Sequence, residues 1–217
     1  IAAPTDAPDE RIEVGVLIVG GGPAGLSCAI RLGQLLEDDP AMAEKLGDVP
    51  VALVDKGKQP GSHLLSGAVM NPRAIKELMP DYKEQGFPIE HTCSQDYFWL
   101  FTRKGTIKSP ITPPMFQKKG YHVVSLSNVV KWLAAKCEEV GVEIYPGFAA
   151  AEVLTEGDRV IGIRTGDMGI DKHGKPKANY QPGMDIFAGV TVLGEGVRGS
   201  CTKQLIERFG LGGANPQ

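Results

Sequence analysis

The chain has 217 residues, enough for one large domain or two small ones, and its 42% hydrophobic and 23% charged fractions are those of an ordinary globular protein. A net charge of −3 with no basic cluster argues against a nucleic-acid partner. Cys28, Cys93, Cys137 and Cys201 are far apart and form no C-x-x-C pair, which argues against a zinc or iron–sulfur site held by them and reads as four unpaired, buried thiols in a reducing compartment.

Ile1 is not an initiator and reads as the product of processing or trimming, and residues 1–13 form a polar, proline-containing tail. Residues 14–30 are uncharged and close to the shortest membrane span, but three consecutive glycines and Pro23 read instead as strand, turn and helix; no secretory signal is visible. The β-formers Val16, Leu17, Ile18 and Val19 run into Gly20-x-Gly22-x-x-Gly25, and Ala24, Leu26, Ala29, Ile30 and Leu32 follow at helical spacing. That is the dinucleotide fingerprint. Gly20 permits the sharp turn, Gly22 lets a pyrophosphate approach the backbone, and Gly25 lets the helix pack on the strand. Pro23 suits the first helical position, where its missing N–H costs little, and the helix start offers N–H groups and a positive dipole end to phosphate.

Residues 37–48 are a charged insertion that extends or follows this helix. Residues 51–55 (VALVD) form a second parallel strand ending in Asp55, the acid expected to bind a ribose hydroxyl; the insertion explains why it lies farther downstream than usual. The polar loop 56–67 leaves that strand end, where ligands of open α/β sheets sit, so Lys56, His63, Ser66 and Gly67 are candidate cofactor contacts.

Asn71 caps a short helix over residues 72–79, which Pro80 stops. An aromatic strand at 97–101 turns at Lys104-Gly105 into a second strand, and a proline-rich loop spans 109–120. A strand at 121–126 leads to a helix capped by Ser127 and ended by Gly141, then to a strand at 142–145, a second βα unit of the parallel sheet. Residues 149–165 alternate around Gly157-Asp158 as a β-hairpin. Residues 166–183 are a long polar excursion. A strand at 186–193 returns to Gly194-Glu195-Gly196, so Glu195 and Gly196 stand at another strand end able to reach the same ligand, and a helix follows at 200–209.

No catalytic triad, metal-ligand spacing or paired acids stand out, so a bound cofactor carries the chemistry and no catalytic or metal residue is assigned. The inserted hairpin and aromatic strand pair depart from a plain nicotinamide-binding fold and point to a flavoprotein.

Four stretches carry a more specific resemblance: GSHLLSGAVMNPRAIKELMPDYKEQGFP (61–88), VEIYPGFAAAEVL (142–154), GDMGIDKHGKPKANYQPGMDI (166–186) and TVLGEGVRGSCTKQLIERFGL (191–211). With the fingerprint, they make the chain resemble the N-terminal part of the electron transfer flavoprotein–ubiquinone oxidoreductase family, from about residue 14 onward. The resemblance implies an α/β fold, a Rossmann-like FAD-binding sheet of the glutathione-reductase/hydroxylase type with inserted antiparallel strands. The FAD-binding domain would comprise residues 14–85 and 121–217, and residues 86–120 would begin a ubiquinone or substrate domain.

It further implies FAD, a 4Fe–4S cluster, electron transfer flavoprotein and ubiquinone as cofactors and partners. The cluster and quinone ligands would lie outside this chain, making it one part of a longer polypeptide. Gly20, Gly22, Ala24 and Gly25 would hold the pyrophosphate and Asp55 the ribose, where the family usually has Glu. Ala150 would offer its backbone to the adenine, while His63, Ser66 and Gly67 would lie toward the flavin. The protein would sit on the surface of a mitochondrial or bacterial inner membrane. Within residues 60–81, Leu64, Leu65, Val69, Met70, Ile75, Leu78 and Met79 would either supply apolar contact, with Arg73 and Lys76 near headgroups, or for the most part be core residues packing on the flavin domain. Competing readings are a geranylgeranyl-reductase-like or aromatic-hydroxylase-like FAD oxidoreductase, and a non-catalytic nucleotide-binding fragment.

Overall fold

A computed structural model describes residues 2, 4, 11–171 and 175–211. Most of the expected tail, the centre of the 166–183 excursion and residues 212–217 lie outside the described residues. The chain divides into two compact units, one of Ile1–His63 with Leu133–Gln217 and one of Leu64–Trp132.

The first unit is built on β1 (Arg11–Val19), which starts earlier than its apolar run because Arg11, Ile12 and Glu13 pair with Asp185, Ile186 and Phe187. Helix α1 (Pro23–Asp38) follows and buries Gly25, Leu26, Ala29, Ile30 and Gly33; of the apolar positions read at helical spacing, Leu26, Ala29 and Ile30 are buried, whereas Ala24 is exposed and Leu32 half-buried. The charged insertion becomes helix α2 (Pro40–Lys45), whose first turn is capped by the Asp39 carboxylate accepting from the Met42 N–H at 3.1 Å. Strand β2 (Val51–Asp55) is buried over its first four residues, as expected of a parallel strand covered on both faces.

The remaining elements of this unit are β8 (Glu143–Pro146), β9 (Ala150–Glu156), β10 (Arg159–Thr165), β11 (Met168–Ile170), β12 (Pro176–Gln181), β13 (Asp185–Leu193) and α5 (Ser200–Phe209). Six strands form one sheet in the order β8-β2-β1-β13-β10-β9; β8, β2, β1 and β13 are parallel, and the β9–β10 hairpin adds antiparallel to β13. The fold class is therefore the expected one. Strand β2, next in the chain, lies on one side of β1 and the late strand β13 on the other, so the order reverses at β1. Open α/β sheets bind ligands beyond such a point, at the strands' carboxyl ends. The core is Val14, Leu17, Val19, Ala52, Val54, Ile163, Ile186 and Ala188. The 166–183 excursion is not a plain loop: β11 and β12 pair as an antiparallel ribbon.

The second unit contains a three-stranded sheet, β3 (Ala68–Met70), β7 (His122–Val124) and β4 (His91–Thr92), with β7 central, and a separate hairpin, β5 (Trp99–Thr102) with β6 (Gly105–Lys108). Helix α3 (Arg73–Leu78) has Pro72 and not Asn71 at its N-cap, with no side-chain cap; Asn71 Oδ1 accepts from the Arg73 N–H at 3.0 Å just before it. Helix α4 (Leu126–Glu139) crosses the division between the units. It starts before Ser127, which therefore lies inside the helix, and the preceding Ser125 carbonyl accepts from the Val129 N–H at 3.0 Å. Phe87 packs edge-on against Tyr82 and Trp132 at 5.3 and 5.1 Å between centroids. Of the apolar residues open to either membrane contact or core, Ile75 and Met79 are buried, whereas Leu65 and Val69 are exposed.

His122 is 2% exposed, with Tyr82 Oη 2.8 Å from Nε2 and Thr92 Oγ1 3.2 Å from Nδ1. Burial lowers its pKa, and the nearby positive charge of Lys83 lowers it further. The unfolded chain therefore binds a proton near the ordinary value of 6.5 that the fold refuses. Stability of the second unit is expected to be intact above that pH and to fall progressively as pH drops below about 6.5. Hydrogen exchange at Val123 and Val124 as a function of pH measures this, and His122→Gln should flatten the dependence.

Candidate functional site

The carboxyl ends of β1, β2 and β13 meet at the glycine turn. Gly20 has φ +111°, and its N–H donates to the Val54 carbonyl at 2.8 Å, so the turn is bonded across to β2. A Cβ on Gly20 would lie 2.5 Å from the Gly194 carbonyl oxygen, and the Gly194 N–H donates to the Val19 carbonyl at 2.7 Å. A Cβ on Gly25 would lie 2.0 Å from the Gly20 carbonyl oxygen, so α1 sits directly on the turn. These contacts carry out the roles the fingerprint assigns to its first and third glycines.

Gly22 differs: no atom lies within 4 Å of where its Cβ would stand. It flanks α1 in extended conformation without a side-chain cap, Pro23 begins the helix, and no acidic residue stands in the first turn. Beyond Gly22 the helix start thus meets open space, with no side-chain cap and no acidic residue in its own first turn, which leaves its amides available to a pyrophosphate. The residues fit a dinucleotide at this point.

Asp55 is tied down from two directions. Its Oδ2 accepts from the Gly21 N–H and its Oδ1 from the Gly57 N–H, both at 2.7 Å. The acid at the tip of β2 therefore braces the glycine turn and keeps further lone pairs on the same oxygens. Gly21 and Gly57 were not among the expected site residues, since their bonds to Asp55 require the fold. Lys56 is exposed beside it, and His63 is exposed with Nδ1 3.3 Å from where a Cβ on Gly57 would stand.

Ser66 and Gly67 belong to the second unit and not to the one that carries the glycine turn; Ser66 Oγ is 3.3 Å from Ser125 Oγ, and Gly67 has φ +82°. Ala150 opens β9, paired with Thr165, and packs against the sheet core.

Glu195 has a role that its place near a strand end did not reveal. Its carboxylate accepts from the N–H groups of Ser200, Cys201 and Thr202 at 3.1, 3.2 and 2.8 Å and from the Thr202 hydroxyl at 2.8 Å. It neutralises the start of α5, so only its backbone is left to face a ligand. Gly196 beside it has φ +76° and open space around it.

The four cysteines are unpaired, but only Cys137 and Cys201 are buried; Cys28 and Cys93 are partly exposed. Burial pushes both buried thiols up to about 12, with Glu138 adding at Cys137 and Glu195 at Cys201. Among the described residues, no group of three or more His, Cys, Asp or Glu could hold a metal ion, and no helix is long and apolar enough to cross a membrane.

No protein-family model matches the chain. It is 47% identical over 208 residues to the mitochondrial electron transfer flavoprotein–ubiquinone oxidoreductase of Arabidopsis thaliana, covering 95% of this chain and 31% of that protein. It is 46% identical over 201 residues to the Homo sapiens protein of the same name, covering 92% and 32%. The chain thus spans about a third of the length of the curated relatives it matches. Among solved structures, the flavin-dependent monooxygenase PieE, in complex with FAD and substrate, is similar with a TM-score of 0.58 at 20% identity, over 94% of this chain and 33% of that one. The myxobacterial chondrochloren halogenase CndH gives 0.56 at 19% identity, over 88% and 39%. At these identities the likeness to both enzymes is one of fold.

Proposed function

Because the chain is homologous to the electron transfer flavoprotein–ubiquinone oxidoreductases over about a third of their length, we propose that it forms the N-terminal, FAD-binding portion of such an enzyme, which takes electrons from reduced electron transfer flavoprotein and delivers them to ubiquinone. The observation that carries this reading is the open backbone at Gly22 beside an uncapped, acid-free helix start. Bound FAD would supply the electron-carrying chemistry. The chain's own residues bind and orient it: the backbone of Gly20, Gly22, Ala24 and Gly25 around the pyrophosphate, with Pro23 setting the helix start, and Asp55 at the ribose through its spare lone pairs. Ala150 offers backbone to the adenine, and Lys56, His63, Glu195 and Gly196 line the approach. No side chain here acts as acid or base. A 4Fe–4S cluster and the quinone site belong, in this reading, to residues outside the chain.

Purified full-length protein is expected to carry flavin absorbance that reduced electron transfer flavoprotein bleaches. Isolation with a nicotinamide nucleotide and no flavin would defeat the reading.

Placement on a membrane surface is part of the same proposal, and the exposed side chains favour the β5–β6 hairpin and the turn after it over residues 60–81. Trp99, Leu100, Phe101, Ile107, Met115 and Phe116 are all exposed, aromatic and aliphatic side chains of the kind a membrane interface takes up. Trp99→Ser with Phe101→Ser should reduce partitioning of the full-length protein onto vesicles by about tenfold. Unchanged partitioning removes the hairpin from this role.

A further inference from the structure

The surface of the second unit carries an open depression of about 500 Å³ that the flavin reading does not use. Three cations line it, Arg73, Lys76 and Lys83, against one carboxylate, Glu84; Gly120 and His122 form part of the opposite wall. Arg73 is already paired, its Nε 2.8 Å from Glu77 Oε1. Among the described residues, neither Lys76 nor Lys83 has a carboxylate partner.

The Lys83 ammonium lies 5.9 Å from the centre of the Tyr82 ring, and its charge reaches His122 strongly enough to disfavour protonation there. The His122 ring is itself occupied by Tyr82 and Thr92. The depression is thus lined by two ammonium groups without a salt-bridge partner among the described residues and by a guanidinium paired to Glu77, with Glu84 the one carboxylate in the lining, over a neutral, hydrogen-bonded imidazole. Like charges facing one space repel unless an anion lies between them.

We propose that this depression binds a phosphoryl anion, held by Lys76 and Lys83 with Arg73 at its edge. Several cationic donors around one space suit a group with several anionic oxygens. The phosphoryl group has two possible sources, the headgroup of an anionic lipid or a free phosphate. The lipid source rests on the membrane reading above. Gly120 of the lining follows closely after the exposed Met115 and Phe116, and Lys118 ties the two together by donating from Nζ to the Met115 carbonyl at 3.2 Å while lying 5.1 Å from the centre of the Tyr121 ring. The depression itself does not depend on that reading.

Calorimetric titration of full-length protein with inorganic phosphate, and separately with soluble dihexanoyl-phosphatidylglycerol, tests the proposal. At least one probe should bind, and Lys76→Gln with Lys83→Gln should weaken it about a hundredfold through the loss of two charged contacts. Circular dichroism should stay unchanged, and Lys76→Arg with Lys83→Arg should retain binding. Binding of both probes assigns the site to phosphoryl groups in general, and binding of the lipid alone assigns it to a headgroup. Failure of both probes to bind, or equal binding by the double Gln variant, overturns the proposal. Flavin absorbance on the same samples separates the two readings: flavin without anion binding removes only the anion site, and anion binding without flavin removes only the FAD site.

Discussion

Gly20→Ala is expected to lose flavin and fold together, while Gly22→Val loses flavin and keeps the fold. At Gly20 the backbone is held at φ +111°, where a side chain is strained, and the added Cβ would also lie 2.5 Å from a carbonyl oxygen of Gly194. That oxygen belongs to backbone, and the strand leading to it is paired to β1 along its length, so it cannot move aside cheaply. Strain and collision together should cost about 3 kcal/mol or more. At Gly22 the backbone is extended, φ −83° and ψ 179°, and a side chain would meet nothing. The cost to stability is the weaker helix cap, about 1 kcal/mol or less. The isopropyl group would stand where the phosphates approach, however. Losing two charge-assisted hydrogen bonds there should weaken FAD by about a hundredfold. Urea unfolding and flavin titration of the two variants check both halves. A Gly22→Val protein that binds FAD normally would show that the phosphates do not lie there.

Arg164→Met should destabilise the first unit by about 3–5 kcal/mol, because it removes the two-bond partner of a buried carboxylate. Asp185 is wholly inaccessible, and Arg164 grips it with two parallel bonds, Nε to Oδ1 at 2.7 Å and Nη2 to Oδ2 at 3.0 Å. The hydrogen bond to Asp185 is the main reason the Arg164 pKa is raised. The pair sits where the sheet changes character. Asp185 stands opposite Arg11 in the parallel pairing with β1 and opposite Arg164 in the antiparallel pairing with β10. Replacing both partners, Arg164→Met with Asp185→Leu, should recover most of the loss, since the buried carboxylate is then removed together with its guanidinium. Thermal unfolding of the single and double variants measures the difference. A single variant as stable as the parent protein would show that solvent reaches Asp185.

Sequence alone revealed most of the first unit because its signals are local. The fingerprint spans six residues, the face of α1 repeats over one helix, and the β9–β10 hairpin is marked by two residues at its turn. Asp55 was found as a strand-end acid, but its bonds to Gly21 and Gly57 were not, since Gly21 is 34 residues away. The hairpin at β5 and β6 read as an aromatic strand pair, yet every residue of both strands is exposed, because burial depends on what covers a surface and no pattern within the strand records that. Ile75 and Met79 show the reverse, since their place in a segment left membrane contact and core equally open and only tertiary packing buries them.

What the amino-acid order determined by itself is the backbone chemistry of the phosphate turn. A residue without Cβ at Gly20, Gly22 and Gly25 and a proline at the helix start act through neighbours a few bonds away. What only the tertiary structure decided is which side chains are already engaged: Glu195 at the start of α5, Asp55 on two backbone amides, Arg164 on Asp185. It also decided which cations remain without a partner. Hydrogen bonds and ion pairs form between groups the chain brings together from far apart, and their desolvation depends on every atom packed around them.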